Sequence, residues 1–233
     1  MTEIADLLDR RLYGIGQVDR LLALVPGTAR RWIEGYRRAG RSYEPVIRAA
    51  PTHDEVVTWG EFVETRLLAE YRSAGVPLIR MRPAIVRLRE IFDTRYPLAH
   101  ARPFISAEGR ELVLKVQEEV DLEQPLVLVV VRSGQVVLSH PATEFVNAVK
   151  FGSDETAISI RPLASIEQVV IDPLRQFGEP VVRSVPTENI AELVRAGDRL
   201  QMIAELYDLT VDEVEAAVRY ELSRKTPAAD RAA

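Results

Sequence analysis

Tyr13-Gly-Ile-Gly-Gln-Val-Asp-Arg-Leu-Leu-Ala-Leu-Val-Pro-Gly-Thr-Ala-Arg-Arg-Trp32 is the stretch whose reading decides the fold. Ile15, Val18, Leu21 and Leu22 recur at helical spacing, which predicts a helix from Ile15 to Leu24 with one buried face. Val25-Pro26-Gly27 breaks it. Thr28 is a residue type that caps helix N-termini, so a second helix is expected from Ala29 to about Arg37. Two short helices joined by such a turn make a helix-turn-helix, whose second helix can lie in a DNA major groove. Ala29, Trp32, Ile33 and Tyr36 share one stripe of that helix and are expected in the core, while Arg30, Arg31, Arg37 and Arg38 fall largely outside it.

Outward from this unit, Ala39-Gly40-Arg41-Ser42-Tyr43-Glu44-Pro45 reads as a turn and Val46-Ile47-Arg48 as a short extended return, a wing-like arrangement. Pro51-Thr52-His53-Asp54 is expected to open another helix that ends near Ala74-Gly75, and a further helix should run to about Asp93. After Tyr96-Pro97 the pattern turns extended. Glu111–Gln117, Leu126–Val131, Gln135–Leu138 and Thr156–Arg161 read as strands, Arg132-Ser-Gly-Gln135 as a tight hairpin, and Thr143–Val149 as a short helix. The prolines and glycines of Val169–Pro186 suggest a linker, followed by helices at Thr187–Arg195, Arg199–Tyr207 and Val211–Arg224. The expected fold is therefore α+β. Its parts are a winged helix-turn-helix over residues 1–100, a β-rich region over 101–168, a three-helix unit over 169–226 and a flexible tail over 227–233. Val18, Leu21 and Leu24 share their spacing with Ile203, Leu206 and Leu209, so the last helices could form a second helix-turn-helix-like unit.

Charge is unevenly placed. The chain carries a net −5, yet residues 1–102 hold 17 Lys+Arg against 13 Asp+Glu, and the remainder is strongly acidic. A basic front half fits a nucleic-acid-facing part joined to a part that faces something else. Nearly all the cations are arginine, whose planar fork suits phosphate and guanine, although a GC-rich genome would enrich arginine as well. The chain has no cysteine, which excludes disulfides, thiolate zinc sites and cysteine nucleophiles. Met1–Arg11 does not read as a secretory signal, and the longest apolar run, Leu126–Val131, is too short to span a bilayer. A soluble cytoplasmic protein is expected, with no membrane partner, metal or cofactor.

The Tyr13–Trp32 pattern, together with Phe62…Leu67…Tyr71-Arg-Ser-Ala-Gly75-Val-Pro-Leu78-Ile-Arg-Met81, resembles the DNA-binding unit of the MerR family of transcription regulators over residues 13–93. The stretch Ile171-Asp172-Pro173…Phe177-Gly-Glu-Pro180…Pro186-Thr187…Ala196-Gly197…Ile203…Leu206…Val214…Ala217 is similar to a domain of unknown function found in small antitoxins. The whole order resembles the longer VapB-type antitoxins. That resemblance implies an antitoxin that binds operator DNA as a homodimer, represses its own operon and neutralises a PIN-type ribonuclease toxin. The alternative is a one-component MerR-like regulator whose C-terminal part binds a small effector.

The candidate DNA surface comprises Thr28, Arg30, Arg31, Arg37 and Arg38 of the second helix with Arg41, Ser42 and Tyr43 of the wing. Arginines near the helix start can reach guanine edges, and those at its end or on the wing are placed to neutralise phosphates. Glu118, Glu119, Asp121 and Glu123 read as a solvated acidic loop, or alternatively as a patch facing a basic partner. His53, His100 and His140 are scattered, and no nucleophile–base pairing or phosphate-binding glycine loop stands out, so no enzyme is expected.

Overall fold

The computed structural model describes residues 5–72 and 75–225; the expected 227–233 tail lies outside the described residues. After a short turn of helix, α1 (Ala5–Leu8), strand β1 (Arg11–Gly14) leads into the two helices of the turn motif, α2 (Ile15–Leu21) and α3 (Thr28–Glu34). A hairpin follows, β2 (Tyr36–Arg38) with β3 (Arg41–Tyr43), and then β4 (Val56–Thr58) returns to pair antiparallel with β1. The long helix α4 (Trp59–Tyr71) and α5 (Arg82–Phe92) complete the first part. Next come α6 (Arg102–Ile105), α7 (Ala107–Glu119), the hairpin β5 (Val129–Arg132) and β6 (Gln135–Leu138), α8 (His140–Ala148), and the paired strands β7 (Val149–Phe151) and β8 (Ala157–Ile160). The chain ends in a three-stranded sheet, β9 (Val169–Val170), β10 (Val181–Val182) and β11 (Val185–Pro186), with β10 central, and in helices α9 (Thr187–Ala196), α10 (Leu200–Tyr207) and α11 (Val211–Lys225). Helices with several small sheets make this an α+β fold.

The organising element is α4. It is started by a reciprocal cap, in which Thr58 Oγ1 accepts from Glu61 N and the Glu61 carboxylate accepts from Thr58 N. The expected start at Pro51–Asp54 is thus displaced: Asp54 and Thr52 are tied up in the loop below, and the capping Thr-x-x-Glu signature sits at Thr58. Nearly every α4 side chain is buried, including Phe62, Val63, Leu67, Leu68 and Tyr71, as befits a helix covered on all sides. The middle of the chain supplies much of that cover. Trp59 Nε1 donates to Ala157 O at 2.7 Å, and Tyr71 Oη donates to Val127 O at 3.1 Å while also meeting Ser139 Oγ. One apolar core therefore runs from Leu7 to Ile171 and does not divide at residue 100.

Two other expectations change. Glu111–Gln117 is not a strand but part of α7. Its Leu112, Leu114 and Val116 alternate, yet the buried set is Gly109, Val113, Val116 and Gln117, which is helical spacing. Ser106 Oγ caps this helix by accepting from Gly109 N at 2.9 Å. Residues 101–168 are in consequence a mixed helical and extended layer and not a β-rich one. Val169–Pro186 is not a linker: its three short strands roof the second core, built on Val169, Val182, Ile190, Ile203, Val214 and Tyr220. The Arg132–Gln135 hairpin forms as expected, with Ser133 and Gly134 both at positive φ. The three C-terminal helices also appear where the sequence put them. α9 ends at Gly197 (φ 99°), and the Thr210–Glu213 pair caps α11.

The second core docks on the turn motif. Tyr220 Oη donates to Leu21 O at 3.0 Å, at the end of α2, and Tyr13 Oη donates to Gly178 O at 2.8 Å. Gly178 has φ +77°, and a Cβ there would lie 2.5 Å from the Tyr13 hydroxyl, so no other residue fits this contact.

Glu64, in the middle of α4, is fully buried. Its Oε1 accepts from Leu98 N at 3.1 Å, and the Arg89 guanidinium lies 3.9 Å from Oε2. Burial pushes its carboxyl up to about 8, against the pull of Arg89 and the Leu98 N–H. A carboxyl whose folded value is raised contributes its stability below the unfolded value and loses it as pH rises through the folded one. Glu64→Gln should therefore match the parent in urea unfolding at pH 5 and exceed it at pH 9. Parallel behaviour of the two proteins across that range would contradict the assignment.

Candidate nucleic-acid interface

The turn motif is set by a buried carboxylate. Asp19, on α2, accepts from Gly27 N and Ala29 N, both at 2.7 Å, and so caps α3 from the preceding helix. Thr28, expected as the cap, instead takes the first helical position; it is buried, and its Oγ1 accepts from an Arg31 N–H at 3.3 Å. Ala29 and Ile33 turn inward, leaving Arg30 and Arg31 exposed on the outer side, while the Glu34 side chain is only 8% exposed.

Arg37 and Arg38, expected at the end of this helix, lie on strand β2. Gly35 stops α3 at φ +74°, and a Cβ there would sit 2.3 Å from Tyr43 O, so the chain turns sharply into the hairpin. The hairpin closes through Ala39 and Gly40, both at positive φ. Tyr36 stacks on Tyr43 with ring centroids 4.6 Å apart, so these two half-buried rings stiffen the ribbon, and Tyr43 is a scaffold residue more than a free contact. Trp32 is half-buried and packs on the main core as expected; Tyr36 belongs to the ribbon. Arg37 faces Ser42 across the strands, and Arg38 faces Arg41. Like charges directly opposite each other destabilise a ribbon unless an anion lies between or beside them.

These elements enclose a cleft of about 640 Å³. Arg31, Arg37 and Arg38 line it, joined by Arg72 from the end of α4. Thr28, Trp32, Val25 and Leu78 supply its floor and walls, and among the described residues no acidic side chain lines it. Among the described residues, Arg37, Arg38 and Arg41 make no ion pair. Arg30 points elsewhere: its guanidinium is held by both oxygens of Glu55, at 2.7 Å from Nη1 to Oε1. The structure thus brings together Arg31, Arg37 and Arg38, leaves Arg41 and Ser42 exposed on the outer strand, and separates Arg30 from the group. Arg72, Asp19 and Glu55 are the participants that the sequence did not disclose. Local capping rules look three residues ahead, while Asp19 acts across eight to ten, and Arg72 reaches the cleft only because α4 packs behind α3.

Below the hairpin, Arg48 fixes the loop that joins β3 to β4. The expected extended return at Val46–Arg48 is a buried, bent segment, with Val46 N and Ile47 N both donating to Trp32 O. The Arg48 guanidinium bridges Glu34, the last residue of α3, and Glu61, in the first turn of α4. It donates further to Thr52 Oγ1, Asp54 O and Val56 O. Burial works against the Glu34 charge, but the backbone N–H groups of His53 and Thr52, the Thr52 hydroxyl and Arg48 outweigh it and hold the carboxyl low. A second polar hollow nearby is lined by Asp9, Asp54 and Glu61 against Arg11, Arg48 and Arg95, a set whose charges compensate each other. The acidic run at the end of α7 is likewise partly neutralised, since Arg87 pairs with Glu119 and Arg80 with Glu123. The arginine cleft, by contrast, is lined by no compensating acid among the described residues.

Residues 11–85 match a family described as "Putative DNA-binding HTH domain", and residues 169–220 match one described as "Protein of unknown function (DUF433)". Along nearly its whole length the chain is 39% identical, over 224 residues, to the uncharacterized protein Rv2308 of Mycobacterium tuberculosis H37Rv, covering 93% of this chain and 92% of that protein. It is 30% identical over 227 residues to the "Putative antitoxin VapB45" of the same organism, covering 90% of this chain and 93% of that one. The chain belongs to the family of Rv2308 and VapB45. The family fold extends to a crystal structure of Rv2018 from M. tuberculosis, which is 27% identical, superimposes with a TM-score of 0.73, and covers 91% of this chain and 99% of its own. This chain thus combines a helix-turn-helix head with the DUF433 unit, and the arginine cleft falls inside the matched head. No helix among the described residues is long and apolar enough to cross a membrane.

Proposed function

We propose that this chain is a DNA-binding antitoxin that represses its own operon and neutralises a PIN-type ribonuclease. The observation that carries the DNA half is the acid-free cleft of Arg31, Arg37, Arg38 and Arg72, formed between the second helix of the turn motif and its hairpin. A MerR-like docking would lay α3 in the major groove and the hairpin along the adjacent backbone. Arg31 is then a base-edge reader, and Arg37, Arg38 and Arg41 neutralise phosphates. Two-fold operators call for two heads, so the active form is a homodimer. The toxin half rests on kinship with VapB45 and on the C-terminal unit. There Met202, Leu206 and Leu222 are 60–67% exposed and offer apolar surface to a protein partner.

Co-expression with the adjacent reading frame tests this reading. The neighbour alone should arrest growth, and this chain should restore growth and co-purify with it. A harmless neighbour that does not co-purify would overturn the toxin half and favour a regulator that answers to a small effector.

A further inference from the structure

Two arginines stand on the outer side of α3, and they are held in opposite ways. Arg31 lines the acid-free cleft, whereas both terminal nitrogens of Arg30 are engaged by the two oxygens of Glu55. Glu55 is placed by backbone. Its carbonyl accepts from Ile15 N at 2.9 Å, and the next residue, Val56, pairs with Gly14 in the β1–β4 ribbon, with its N–H bonded to Asp54 Oδ1. The carboxylate is therefore anchored between the start of α2 and the outer side of α3. The pair is also well solvated, with 51% of the Arg30 side chain and 62% of the Glu55 side chain exposed. Such a pair forms readily and opens at little cost.

An arginine fork that fits a carboxylate also fits the O6 and N7 edge of guanine, and a carboxylate accepts from the N4 amine of cytosine. We propose that Arg30 and Glu55 act together as a specificity-determining pair, exchanging their internal bond for a guanine edge and a cytosine amine in the major groove. On arbitrary duplex the exchange is unfavourable. A phosphate offers Arg30 no more than Glu55 already does, and it leaves the freed carboxylate facing a polyanion. Glu55 thus lowers binding to unrelated sequence while G·C pairs at the right place release it. This inference rests on the DNA-binding reading above.

The test compares the full chain with Glu55→Gln on two duplexes, one from upstream of its own reading frame and one of unrelated sequence. For the variant, affinity for unrelated duplex should rise roughly ten-fold, with a salt slope steeper by about 0.9, as one more cation meets phosphate. Affinity for the upstream duplex should change less than about three-fold, so that discrimination falls. Arg30→Gln combined with Glu55→Gln should return unrelated binding to the parent level without restoring discrimination. A Glu55→Gln protein with parental affinities and slope on both duplexes would overturn the pair's role, provided that Arg37→Ala with Arg38→Ala still weakens binding. A parent chain that binds neither duplex at 50 mM salt would overturn the DNA reading itself, and the proposal with it.

Discussion

Arg48→Met will lower the unfolding free energy by about 3–5 kcal/mol, measured by urea denaturation, because it strands two buried carboxylates. Arg48 is 6% exposed, and the side chains of its partners Glu34 and Glu61 are 8% and 1% exposed. Its Nε donates to Glu61 at 2.7 Å, Nη2 reaches Glu61 and Val56 O, and Nη1 reaches Glu34, Thr52 and Asp54 O. Methionine can fill the volume but satisfies none of these acceptors, and a buried acceptor left unpaired costs far more than the pair was worth in isolation. The loss extends beyond stability. Glu34 closes α3 and accepts from Thr52 N and His53 N, so Arg48 sets the path of the loop that returns the chain from the hairpin. Arg41→Met, on the exposed outer strand, should by contrast change stability by no more than about 0.5 kcal/mol. A loss below about 1 kcal/mol for Arg48→Met would show that the network is not what holds the hairpin in place.

Replacing Arg31, Arg37 and Arg38 together by alanine should weaken duplex binding by roughly a thousand-fold near 0.1 M salt, at about 1.4 kcal/mol for each arginine. The salt slope should flatten by about two, since the two hairpin arginines each account for nearly one phosphate contact. All three side chains are exposed and none supports the core, so the thermal midpoint should stay close to that of the parent. Arg38→Ala relieves the facing Arg38–Arg41 charges and should leave the hairpin no less stable. Binding by the triple variant within three-fold of the parent would remove the cleft from the interface.

Much of this interface was legible in the sequence because its signals are local. Val18 and Leu21 repeat at helical spacing, Pro26-Gly27 interrupts them, and the Arg132–Gln135 hairpin carries its own turn chemistry. What escaped is set by contacts across the chain. Thr28 has the composition of a cap, but Asp19 reaches the same N–H groups from α2, and a buried carboxylate wins the position. Arg37 and Arg38 continue the apparent helix in composition, yet Gly35 ends it, because the backbone must pass within reach of Tyr43 O. Leu112, Leu114 and Val116 mimic a strand until Ser106 is recognised as a cap. Val169–Pro186 resembles a linker because two-residue strands leave almost no periodicity, and only the second core beneath them shows why they are ordered. Arg30 is equivalent to Arg31 in its local sequence, and only the fold places Glu55, twenty-five residues away, on its guanidinium.

Fluorescence anisotropy of a labelled duplex from upstream of the chain's own reading frame, titrated with the full-length protein between 50 and 200 mM salt, tests the central claim most directly. The account predicts saturable binding at low salt, a steep linear fall of log affinity with log salt, and weaker binding to an unrelated duplex of equal length. Absence of binding at 50 mM salt, or an affinity indifferent to salt, would contradict it.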